Sequence, residues 1–162
     1  MNYSQIITNY FMENYEYFLR ILVGALLGFI IGLDREYKNK PAGIKTYMYV
    51  SVSCTLLTIV SIVSVEKFGL MNEAVRTDPL RLAAQIVSGL GFLGAGVILK
   101  TGLQIKGLTS AAMILFVGGV GIGIGAGFYD VVIFAIIISM ILSRIGESIE
   151  KRHKKKSEME AA

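Results

Sequence analysis

Asp78, Arg81, Gln85 and Ser88 follow one another at spacings of three, four and three residues. On a helix that spacing gathers a carboxylate, a guanidinium, an amide and a hydroxyl on one face. Thr77-Asp78-Pro79 starts such a helix well, with a capping side chain followed by proline at the first position. The chemistry on offer is recognition rather than bond making. Asp78 is the one carboxylate on this face. Arg81, Gln85 and Ser88 could bond a neighbouring helix or a watery cavity. Arg20 is the expected partner of Asp78, because an arginine within a span is costly when unpaired. A second set, Asp34, Arg35 and Glu36, precedes Pro41-Ala-Gly-Ile-Lys-Thr46, and reads by itself as a solvated loop in which Lys45 and Thr46 complete a polar motif.

The chain has 162 residues, 54% hydrophobic and 17% charged, against roughly 25% charged in soluble domains. Thr46 to Val65, Leu82 to Leu99 and Leu108 to Gly127 hold no charge at all. Each is near the ~20 residues that cross ~30 Å of hydrocarbon. The expected fold is therefore all-α, a polytopic membrane bundle with spans near Tyr17–Leu33, Thr46–Val65, Leu80–Leu99, Leu108–Ile124 and Val131–Ser143. Residues 1–150 form the membrane domain and 151–162 a basic tail. With five spans, twelve of the sixteen basic residues fall on one side, which predicts N-terminus out and C-terminus in. A soluble enzyme and a nucleic-acid partner are excluded, and the lipid bilayer is the first partner. His153 and Cys54 are each the only residue of their type. No histidine metal cluster and no intrachain disulfide follow from them.

Eighteen glycines are many for this length. Gly24, Gly28 and Gly32 recur every four residues, as do Gly119, Gly123 and Gly127. Both series predict close helix packing. Gly89-x-Gly91-x-x-Gly94 has the letters of a dinucleotide fingerprint, but it lies within an apolar helix with no strand before it, so no nucleotide is expected. Spans one and two overlay spans three and four at an offset of 64 residues, pairing Gly32 with Gly96 and Gly43 with Gly107. That suggests a parallel repeat.

Gly28-Phe-Ile-Ile-Gly-Leu-Asp-Arg-Glu36 with Pro41 to Thr46, the run from Asp78 to Ile98, and Lys106 to Ala112 together resemble the MgtC/SapB family. The likeness covers about Tyr17 to Leu142. Lys45 stands where arginine is usual in that family, and Tyr47 where histidine is common. The resemblance implies a multi-pass protein of the bacterial cytoplasmic membrane, tied to growth at low magnesium and to survival in macrophages. It also implies weight on Asp34, Arg35, Glu36, Asp78, Arg81 and Gln85. Mg2+ is the ligand it suggests, with Asp78 the candidate metal ligand because magnesium is usually held through carboxylates with several waters retained; ATP synthase is a partner, and the chain reads as a short form without the family's soluble domain. No acid lies along the path between Asp78 and Asp34, and no nucleotide-binding segment drives pumping. The expectation is a regulatory or accessory protein, not an enzyme; the alternative is a Mg2+ transporter or channel using the polar face of span three. Whether copies of the chain form a homo-oligomer is left open.

Overall fold

A computed structural model describes residues 3–69 and 78–160. The Thr77 cap lies outside them, as do the side chains of the basic run beyond residue 152. Five helices carry the chain: α1 (Tyr3–Tyr37), α2 (Ile44–Gly69), α3 (Pro79–Val97), α4 (Leu108–Gly125) and α5 (Tyr129–Glu160). Four of them contain stretches long and apolar enough to cross a membrane, namely Phe11–Tyr37, Ile44–Phe68, Leu108–Gly125 and Tyr129–Arg152. The apolar part of α3, Arg81–Val97, is shorter. At 1.5 Å per residue it reaches only ~25 Å.

Span three was expected to run to Leu99, but α3 stops at Val97 and Leu99 opens a two-stranded hairpin. Strands β1 (Leu99–Thr101) and β2 (Gln104–Lys106) pair antiparallel, with Thr101 opposite Gln104. Gly102 takes the first of the two loop positions at φ 61°, the arrangement a tight hairpin with glycine first requires. Gly107 at φ 91° then turns the chain into α4. The α1–α2 connection closes differently. Asn39 adopts φ 49°, and the amides of Asn39 and Lys40 return to the carbonyls of Glu36 and Arg35. These bonds occupy the end of α1 in the manner of a left-handed C-cap.

The chain forms two compact units, residues 1–128 and 129–162. The second is α5, a single helix that runs through residue 150 without a break. The basic segment continues this helix to Glu160. In the first unit α2 is central, packing against α1, α3 and α4, while α4 also touches α1 and α3. Tyr47, Cys54, Leu90, Ile114 and Val117 form the middle of the core.

Glycine sets the distance between these helices. Gly24 lies against Ser51 and Thr55, Gly28 against the backbone of Tyr47 and Met48, and Gly32 against the backbone of Ile44. On α4 the expected series is displaced. Gly119 has open space where a side chain would be, while Gly118 meets Leu90, Gly121 meets Ser51 and Cys54, and Gly125 meets Thr55 and Thr58. The Gly123 carbonyl accepts from the Phe128 amide at the end of α4. The glycines of α4 are so dense that several four-residue series coexist, and only the position of α2 selects among them. The proposed repeat is not carried into the packing: Gly32 abuts Ile44, whereas Gly96, its counterpart, faces open space.

Candidate functional site

Two arginines on α1 mark the polar features of the first unit. They are fifteen residues apart in sequence, or about 22 Å along a helix. Arg35 is 4% exposed, although it sits beside a loop. Its Nη2 donates to Ser110 Oγ at 3.2 Å, and Tyr47, fully buried, donates from its hydroxyl to the Ser110 carbonyl at 3.4 Å. Arg35 Nε is buried without a hydrogen-bond partner. The neighbouring acids are engaged elsewhere. Asp34 pairs with Lys38 at 3.0 Å, and Glu36 Oε2 accepts from the Ile44 amide at 3.2 Å. The motif read as a solvated loop is thus the end of α1, with its arginine turned inward and its two acids outward. Lys45 and Thr46 are exposed on the first turn of α2.

Arg20 was expected to pair with Asp78. Its Nη2 bonds Glu16 at 2.5 Å, one turn back on α1, and its Nη1 donates to the Gly125 carbonyl at 2.6 Å. A cation at the last carbonyls of a helix is favourable, so Arg20 ties α1 to the end of α4.

Between the two arginines runs a line of hydroxyls on α2 that the sequence reading passed over. Ser51, Thr55, Thr58 and Ser61 are all buried. Ser51 Oγ donates to the Gly24 carbonyl at 2.7 Å. Thr55 Oγ1 lies 2.9 Å from the Ser51 carbonyl and 3.0 Å from that of Gly121, and Thr58 Oγ1 donates to the Cys54 carbonyl at 2.8 Å. The signal was present as spacings of four, three and three within a charge-free run. Ser51 and Thr55 are placed where a glycine of a neighbouring helix brings its carbonyl within reach.

The polar face of α3 borders this line of hydroxyls at Ser61. Asp78, Arg81 and Gln85 line an open groove of about 330 Å³ against Ser61, Ser64 and Phe68 of α2. Gln85 also borders a second, more apolar groove of about 480 Å³ that includes Ser53, Cys54 and Leu57. Ser88 is exposed and lines neither. The face therefore flanks α2 at the surface of the unit, contrary to the expectation that it points into the bundle. Among the described residues no three His, Cys, Asp or Glu come together as a metal site. One carboxylate beside a guanidinium does not suit a resident divalent cation, so the described residues around Asp78 do not fit bound magnesium.

Apolar helices joined by buried hydroxyls and glycines define a polytopic helical membrane protein. The MgtC family profile matches residues 21–152, and the chain belongs to that family. It is 48% identical to SapB of Bacillus subtilis over 126 residues, covering 77% of this chain and 53% of that protein. It is 35% identical to MgtC of Salmonella typhimurium over 127 residues, covering 78% and 51%. YhiD of Escherichia coli, described provisionally as a magnesium transporter, is 34% identical over 134 residues, covering 80% and 60%. The chain thus spans between about half and three fifths of these relatives' length. No solved structure matches it.

Proposed function

We propose that this chain serves magnesium homeostasis in the bacterial cytoplasmic membrane as a regulatory or accessory protein, acting through another membrane protein and without catalysis of its own. Its relatives' names supply the link to magnesium. The observation that carries the regulatory reading is the α1/α2/α4 seam. There the backbones touch at glycines, and the hydroxyls of Ser51, Thr55 and Thr58 are spent on carbonyls. A buried guanidinium stands at one end of the seam. Such an interior is filled, and its fixed charge repels a divalent cation. Transport by the monomer would have to use the groove of Asp78, Arg81 and Gln85, which favours the second reading, a transporter working along the α2/α3 flank.

Flux separates the two. Purified chain in liposomes loaded with a magnesium-sensitive dye should admit Mg2+ no faster than protein-free liposomes, while the same preparation restores growth at limiting magnesium to cells lacking the gene when expressed there. Saturable Mg2+ entry that disappears in Asp78→Asn would establish the transporter instead.

Orientation belongs to the same proposal, with the α1–α2 connection and the hairpin inside. In a Cys54→Ala chain, a membrane-impermeant maleimide should label Glu66→Cys in intact cells. It should leave Lys40→Cys and Lys100→Cys unmodified until the cells are opened. Labelling of Lys40→Cys from outside would invert the assignment.

A further inference from the structure

Lipid-facing helix surfaces are expected to carry large apolar side chains, and α1 does so with Leu19, Leu22, Leu26, Phe29 and Ile30 exposed. Helix α3 is different. It turns Ile86, Leu90 and Gly94 inward. Its open side carries Ala84, Gln85, Ser88, Gly89, Gly91 and Ala95 together with the exposed Val87, Phe92 and Leu93, a surface richer in small residues than that of α1. Side chains added at Gly89, Gly91 or Gly96 would meet nothing within 4 Å. Small residues around an amide and a hydroxyl are what close helix contact in a membrane uses, and what hydrocarbon does not.

We propose that this side of α3 is a twofold interface with a second copy of the chain, α3 lying against α3. The surface is complementary to itself in three respects. An amide both donates and accepts, so Gln85 of one copy can satisfy Gln85 of the other. Asp78 and Arg81 put opposite charges one turn apart, so a twofold axis along the membrane normal sets acid against base from each side. Phe92, 81% exposed, stands next to the groove of about 480 Å³ bordered by Ser53, Leu57, Gly89 and Leu93, which gives each copy a projecting ring and a recess to receive one. The grooves beside Gln85 are then the seats of the partner's helix. This assignment goes beyond the magnesium reading and stands or falls separately from it.

Oxidative cross-linking in native membranes tests the interface. In the Cys54→Ala chain, Ser88→Cys should yield a covalent dimer as the main product, and Leu22→Cys, on the lipid side of α1, should yield little. Gln85→Leu combined with Gly89→Leu should lower the Ser88→Cys dimer about tenfold. If that pair fails to accumulate, Phe92→Ala should lower it several-fold in a chain that does. Cross-linking at Ser88→Cys no greater than at Leu22→Cys would overturn the proposal. So would an adduct with the mass of a different protein, a disulfide formed within one chain between Ser88→Cys and Ile137→Cys, or an unaltered dimer in folded Gln85→Leu/Gly89→Leu and in Phe92→Ala.

Discussion

Gly28→Ala will strip most of the folded protein from the membrane, and Gly28→Leu all of it. A Cβ at this position would lie 2.7 Å from the Tyr47 carbonyl oxygen, 2.8 Å from Ser51 Cβ and 2.9 Å from Met48 Cα. Two of those three atoms are backbone, so no rotamer change relieves the contact, and α1 must separate from α2. Overpacking alone costs about 1 to 3 kcal/mol. Separation also breaks the 2.7 Å bond from Ser51 to the Gly24 carbonyl. The expected loss for alanine is about 3 kcal/mol, a large part of a marginal total. Gly119→Leu is the control. It adds a larger side chain to another glycine-containing helix, at a site with nothing within 4 Å, and should change the melting temperature little. Membrane abundance and thermal melts in detergent report both. Equal behaviour of the Gly28 and Gly119 variants would show that α1 and α2 do not meet backbone to backbone.

Arg35→Met should separate stability from function. Buried charges are weak contributors to stability, and hydrophobic replacements of similar volume are often neutral or stabilising by about 1 to 4 kcal/mol. Arg35 has no carboxylate among its hydrogen-bond partners and carries a buried Nε that bonds nothing. The methionine variant should therefore accumulate and melt at or above the parent temperature, yet fail to support growth at limiting magnesium. Arg35→Ala should be less stable than Arg35→Met, because it leaves a void beside Tyr47 and Ser110. Full growth with Arg35→Met would reduce this residue to packing. A variant that unfolds would show that the guanidinium, not its volume, holds the end of α1 to α4.

Much of this molecule is legible without coordinates. Charge-free runs as long as Thr46–Val65 have no inexpensive home except a membrane, because an unpaired backbone cannot cross hydrocarbon and a helix pairs its own. Helix number and class, and the association of Gly24, Gly28 and Gly32 with a neighbour, follow from local spacing and composition. The family was also legible, since its motifs are contiguous in the chain. What local spacing cannot give is azimuth. Asp78, Arg81 and Gln85 do share one side of α3, but which side of the bundle that is depends on where α2 and α4 lie. The same ignorance hid the bonds of Arg20 to Glu16 and to the Gly125 carbonyl, and chose Gly119, which faces open space, over Gly118, Gly121 and Gly125. It left Arg35 in a loop, because nothing near it in sequence announces Ser110, 75 residues away. Periodicity along one helix sets which residues travel together. Only the packing of several helices, each excluding the volume of the others, decides what they meet.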